Sequence, residues 1–378
     1  MTSSAKVLIA MSGGVDSAVA AARLVDAGHD VTGVHLKLAD VPLDEQVPGH
    51  GCCTLDDAQD ARRVAQVLGI PFYVWDLSET FRREVQDPFA ATYAAGWTPN
   101  PCVTCNEKVK YAALLARARE LGFDALATGH HVRLRAPDGA TPVIEPTAGA
   151  RLFRSADPGK DQTYVLYVAT AAQLAHSLFP VGELTKDQVR EEAAARGLRV
   201  AAKPESYDVC FIPDGDTAGY LGQHLEERPG QIVEVDGQVL GEHDGTWRFT
   251  VGQRRGLGLG DHVRRFVIDV DAPGRRVVVG PRGALACRWL DVDAPNWIRG
   301  AAPAGPILVQ IRAHGRPVPG SVGGRAAGRT RVHLDEPVHG VALGQAAVVY
   351  AGDECLGGGR IVAAQRPTSL PLAVAAEK

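Results

Sequence analysis

Between a short apolar run, Val7-Leu8-Ile9-Ala10, and an alanine-rich segment, Ala18 to Leu24, lies Met11-Ser12-Gly13-Gly14-Val15-Asp16-Ser17. The apolar run reads as a buried parallel strand, and the alanine-rich segment as a helix ending near Gly28. Gly13 and Gly14 let the backbone turn sharply, so that successive N–H groups point at one spot above a helix N-terminus. Unpaired donors and the positive end of the helix dipole favour an anion there. Ser12 and Ser17 add hydroxyl donors, and Asp16 is suited to orient or bridge a magnesium ion. No lysine follows the glycines, so this is not the G-x-x-x-x-G-K-[ST] phosphate loop. A glycine-rich turn without a ligand is the bland alternative, but a turn alone needs neither two flanking serines nor an aspartate.

The first two hundred residues alternate strand and helix signals, as in an α/β domain. Strands are expected at Val31–Leu36, Phe72–Trp75 and Ala125–Thr128, and helices at Leu55–Leu68 and Glu107–Leu121. Thr185-Lys186-Asp187-Gln188 has the pattern of a capping box. Parallel strands would place ligands at their carboxyl ends, where the turn at Met11 and the turn at Gly129-His130-His131 both fall. After Phe211-Ile212-Pro213 the pattern changes to short strands broken by Pro and Gly. Ile232–Val235 and Gln238–Leu240 flank Asp236-Gly237, a strong hairpin signal, and Phe266–Val270 and Arg276–Val279 flank Ala272-Pro273-Gly274. The expected division is an α/β domain over 1–215, a small β-rich domain over 216–283 and a C-terminal β-barrel over 284–378.

The whole chain carries a net charge of −4, yet Arg248–Arg331 holds fifteen arginines, no lysine and five aspartates, hence +10. That asymmetry suggests a nucleic-acid surface. There is no apolar signal core at the start and no run of membrane-spanning length, so a cytoplasmic protein is expected. Seven cysteines, an odd number, point to thiol or metal chemistry and not to a disulfide framework. Cys102 and Cys105 lie in a proline-stiffened loop that feeds a helix, where the dipole favours thiolate. Cys210 sits where the α/β region ends. One C-x-x-C falls short of a structural zinc site; Cys287 and Cys355 read as small core residues.

Taken in order, Ser12–Ser17, Asn100-Pro-Cys-Val-Thr-Cys-Asn106, Ala127–His130, Gly159-Lys-Asp-Gln162, Leu178–Gly182, Val209–Ile212, Val251–Gly256 and Leu356–Gly359 closely resemble the tRNA-specific 2-thiouridylases, the MnmA/TrmU family. The resemblance covers nearly the full length. The first segment alone resembles the PP-loop of N-type ATP pyrophosphatases, which split ATP between its α and β phosphates; the cysteine segments and Lys-Asp-Gln set the family apart from other PP-loop enzymes.

The resemblance implies an adenine nucleotide α-hydrolase-like domain that uses ATP and Mg2+. It would adenylate the C2 oxygen of the wobble uridine in tRNAs of the Lys, Glu and Gln type, before sulfur displaces AMP. Ala10, Met11, Ser12, Gly13, Gly14, Val15, Asp16, Ser17, Leu36 and Gly129 match nucleotide-contacting positions. Cys210 matches the persulfide carrier and Cys105 its partner nucleophile, with a Cys105–Cys210 disulfide left behind. Asn100, Pro101, Cys102, His130, Lys160, Asp161, Gln162, Arg312, Ala313 and Gln345 match tRNA-contacting positions, although Ala313 stands where relatives have a tyrosine able to stack. Many relatives have aspartate at Cys102. Three thiols, Cys102, Cys105 and Cys210, leave open a second sulfur route through a [4Fe-4S] cluster. The partners implied are tRNA and a sulfur donor, a persulfide carrier protein or cysteine desulfurase, acting on a monomer. Two other readings stay open: a PP-loop amidating ligase, and a non-catalytic RNA-binding or sulfur-carrier protein with a degenerate ATP site.

Overall fold

The structure is a computed structural model that describes residues 4–38, 55–204, 209–212, 214–260, 263–326 and 328–365. Cys52 and Cys53 lie outside the described residues. Strands β1 (Lys6–Ala10), β2 (Asp30–Lys37), β3 (Phe72–Asp76) and β4 (Ala125–Thr128) pair in parallel with the short strand Ser177–Leu178, in the order β3-β2-β1-β4 and then Ser177–Leu178. β1 lies inside the sheet with helices over it, which is why Val7, Leu8 and Ile9 are all fully buried and its sequence does not alternate. The helix Val15–Asp26 follows directly. Its alanines at 18, 20, 21 and 22 are almost inaccessible, and their small side chains let it pack closely between the sheet and the helix Lys186–Ala195.

The helix expected at Glu107–Leu121 begins earlier. Asn100 is its N-cap, its side-chain oxygen accepting from the amides of Cys102 at 3.1 Å and Val103 at 3.2 Å. Pro101 takes the first helical position, where a missing N–H costs nothing. Helical backbone then runs from Pro101–Thr104 through the wider π turns of Cys105–Leu114 to Leu115–Glu120. Such widened turns gather at functional sites, and this one starts at Cys105.

The hairpin Val132–Arg135 with Arg151–Arg154 belongs to the N-terminal half of the chain but joins the C-terminal sheet. That sheet closes on itself. Its order is Ala286–Trp297, Arg329–His339, Val318–Ala326, Ile307–Gln310, Ala346–Ala351 and Glu354–Ala364, with the first and last strands paired again to complete a six-stranded barrel. Buried Glu354 fixes the junction by accepting from Arg151 Nε at 2.9 Å and Arg299 Nε at 2.8 Å. Between the two halves lies a four-stranded sheet whose two hairpins, Gly230–Glu234 with Val239–His243 and Phe266–Asp271 with Arg276–Gly280, are the expected ones. Their joining through a parallel pairing is an addition. No helix among the described residues is long and apolar enough to cross a membrane.

Candidate functional site

The glycine turn opens into a cavity of about 410 Å3 at the carboxyl ends of β1 and β4. Gly13 has φ +80°, and a Cβ there would lie 2.3 Å from the carbonyl oxygen of Asp57; it turns the chain without itself lining the cavity. At Gly129 a Cβ would lie 2.6 Å from the Ser17 amide, so only glycine lets the end of β4 approach the start of the first helix. The serines hold the turn in shape. Ser17 Oγ donates to Gly14 O at 3.0 Å and accepts from the Ser12 amide at 3.2 Å, while Ser12 Oγ accepts from the Gly14 amide at 3.3 Å. The first amides of the following helix have no partner within it, the condition for anion binding. Ala10, Met11, Ser12, Gly14, Val15, Asp16 and Ser17 line the cavity, with Leu36 and Gly129.

Asp16 was expected to orient or bridge magnesium, but its carboxylate is already occupied. Lys186 Nζ donates to its two oxygens at 2.8 and 2.7 Å, and His131 Nε2 contacts Oδ1 at 3.0 Å. Burial alone would raise the Asp16 pKa; hydrogen bonds from His131 and Lys186 outweigh it and hold the carboxyl below its ordinary value. The donor set at Asp16 therefore suits an ammonium and an imidazole and not a directly ligated metal. Lys203 reaches the turn from the far side. Its Nζ donates to Gly13 O at 3.1 Å, to Asp57 at 2.8 Å and to Asp60 at 2.7 Å.

The Lys160-Asp161-Gln162 segment lines the same cavity. Gln162 Oε1 accepts from the His131 amide at 2.8 Å, which ties this segment to the partner of Asp16. Asp161 is turned inward. It accepts from Arg154 at 2.6 Å and from Thr163 Oγ1 at 2.8 Å, and Arg154 in turn donates to barrel residue Gln310 at 2.8 Å. Gln310 Nε2 donates to the carbonyls of Arg312 and Ala313. Hydrogen bonds thus run from the barrel segment expected to meet RNA to the segment bordering the glycine turn. Arg312 also donates to Gly340 O at 2.5 Å, and His314 brings the barrel to the cavity wall.

Asn100, Pro101 and Gln345 border a second cavity of about 440 Å3, between the capped helix and the barrel. Gln345 Nε2 donates to Thr98 O at 3.0 Å and Pro99 O at 3.3 Å, fixing the approach to Asn100. Cys105 is buried, and Cys210 packs against the same apolar cluster. Phe211, next to Cys210, meets Phe81 and Phe89 edge-on at 5.7 and 5.3 Å. Cys102, Cys105 and Cys210 are all thiols. The expected ligand set for a [4Fe-4S] cluster is not formed, because among the described residues no three His, Cys, Asp or Glu side chains gather to hold a metal. Cys287 and Cys355 are core residues, each 1% exposed.

Three lysines of the first cavity, Lys110, Lys186 and Lys203, are missing from the candidate site read from the sequence. Lys186 stood out there only as part of a helix cap, and no local pattern marks the other two.

A parallel sheet with an anion-ready glycine turn at its strand ends, cationic side chains around the turn and a β-barrel against it defines a nucleotide-binding enzyme with an appended β-barrel. Family models described as the tRNA methyl transferase HUP domain, the tRNA methyl transferase PRC-barrel domain and the Aminomethyltransferase beta-barrel domain match residues 5–214, 218–281 and 288–361. Proteins named tRNA-specific 2-thiouridylase MnmA are similar along almost the whole chain. The one from Thermobifida fusca is 53% identical over 96% of each chain, and the one from Acidothermus cellulolyticus 52% identical over 96% of this chain and 98% of its own. The chain belongs to the tRNA-specific 2-thiouridylase family. A solved 4-thiouridine synthetase–RNA complex with bound ATP is 17% identical, with a TM-score of 0.35 over 58% of this chain and 50% of that one, too distant to bear on function.

Proposed function

We propose that the chain makes 2-thiouridine at the wobble position of tRNA, using ATP to activate the base. The observation that carries this reading is the 410 Å3 cavity, where the glycine turn and the Lys160–Gln162 segment face one space. In the first step the C2 oxygen of uracil attacks the α-phosphorus of ATP. The α–β P–O bond breaks, and pyrophosphate leaves into the amides around Ser12–Ser17. Magnesium is read as arriving with the nucleotide, not on a resident site.

In the second step the outer sulfur of a Cys210 persulfide is delivered to C2, the C2–O bond breaks and AMP departs. The Cys105 thiolate closes on the Cys210 sulfur, so two thiols are oxidised to a disulfide as the outer sulfur is reduced. Turnover then needs a dithiol reductant and a sulfur donor, either a persulfide carrier protein or a cysteine desulfurase. The reading assigns Asn100, Pro101, Lys160, Arg312 and Gln345 to the RNA side, on a monomer working in the cytoplasm. Incubation with tRNA, ATP and a persulfide donor, followed by nucleoside analysis, tests it: 2-thiouridine is expected, and an amidated small molecule would replace the reading with that of an amidating ligase.

A further inference from the structure

Lys186 and Lys203 both meet carboxylates in the first cavity, but Lys110 does not. Its Nζ lies 3.3 Å from His130 Nε2, and among the described residues no carboxylate lies within ion-pair distance of it. The imidazole brings no compensating charge. Burial, then the nearby Lys110 ammonium, push the His130 pKa well below its ordinary 6.5, so the ring is neutral at physiological pH. Because Lys110 can only donate, Nε2 is the acceptor, and the proton on Nδ1 goes to Thr128 Oγ1 at 2.7 Å. Thr128 closes β4, so a strand end holds the ring and the ring holds the ammonium. A half-buried cation whose one hydrogen-bond partner among the described residues is neutral calls for an anionic ligand.

Position narrows the choice of anion. Lys110 is five residues beyond Cys105 in the widened helical segment Cys105–Leu114, and its side chain lines the same cavity as the glycine turn. It therefore connects the helix that carries a sulfur-handling cysteine to the space assigned to the nucleotide. The glycine turn already suits the pyrophosphate end. We infer that Lys110, held in place by His130, binds the α-phosphoryl group of ATP, the group that joins the uridine oxygen and leaves as AMP. The inference rests on reading this cavity as the ATP site.

Equilibrium binding of AMP and of adenosine, which differ only by that phosphate, tests it. The wild-type protein should bind AMP more tightly than adenosine. Lys110→Met should remove that preference, a loss of about 10- to 100-fold in AMP affinity, as for one hydrogen bond between charged groups. Adenosine affinity should stay within about threefold, which also shows that the variant is folded. Lys110→Arg should restore part of the preference. An AMP preference that survives Lys110→Met overturns the inference and leaves the proposed function standing. If the wild-type protein binds neither AMP nor adenosine, both the inference and the ATP reading of the cavity fail.

Discussion

Lys186 Nζ spans both carboxylate oxygens of Asp16, at 2.8 and 2.7 Å, across 170 residues of sequence. The pair stands at the mouth of the glycine turn, with His131 as a third member. On the function proposed above, this pairing orients the Lys186 ammonium toward the phosphates of the incoming nucleotide.

If the two act as one unit, Asp16→Ala and Lys186→Ala should each slow AMP formation about 100-fold or more. The double variant should be little worse than either single one, because the second substitution removes a group already without its partner. Rates of AMP release measured for all three variants check this. Losses that multiply would show that the residues act separately.

Lys203→Ala removes the ammonium that joins Gly13 O to Asp57 and Asp60, and leaves two partly buried carboxylates facing each other. The pKa of Lys203 is raised: burial opposes its charge, and the two carboxylates more than offset that. A stability loss of about 2 kcal/mol is expected, below the usual cost of breaking a fully buried pair because water reaches the site. Chemical denaturation and ATP affinity should both weaken. An unchanged denaturation midpoint would mean the tie is ornamental.

The pH dependence of stability follows from His130. Its folded pKa lies well below the ordinary 6.5, so between those values the unfolded chain takes up a proton that the folded one refuses. Stability should therefore fall as pH drops through 6.5, by up to about 1.4 kcal/mol per pH unit from this group. His130→Gln should flatten that part of the profile. Melting temperatures of both proteins between pH 7 and pH 5 (roughly the histidine range) supply the comparison, and parallel curves would refute the assignment.

Cys105→Ser and Cys210→Ser should each stop thiolation while pyrophosphate release continues for one turnover, since activation of the base precedes sulfur transfer. Cys102→Ser should retain thiolation under strict anaerobiosis, because among the described residues no cluster-holding group is formed around it. Loss of thiolation together with iron from that variant would restore the cluster route.

What could be seen from the sequence was local. Val7–Ala10 announced a buried strand because four apolar residues in a row suit a strand covered on both faces, and Ser12–Ser17 announced its turn through two glycines. Thr185 and Gln188 form the capping box that their spacing implies. Missing was whatever depends on distant chain segments. Lys186 meets Asp16, and Lys203 meets Gly13, only after the sheet has assembled. The hairpin at Val132–Arg154 alternates like any edge strand, and nothing in it shows that it will join the barrel. The early start of the helix at Pro101 was within reach: Asn100 followed by proline is a cap pattern, and the proline-stiffened loop expected there is the first turn of the helix.

The most direct test of the account is the fate of ATP labelled at its α-phosphate when the protein is given tRNA and a persulfide donor. Label should appear in AMP, one for each 2-thiouridine formed in the digested tRNA, with pyrophosphate as the other product. Label in ADP, or AMP formed with no thionucleoside, would contradict the account.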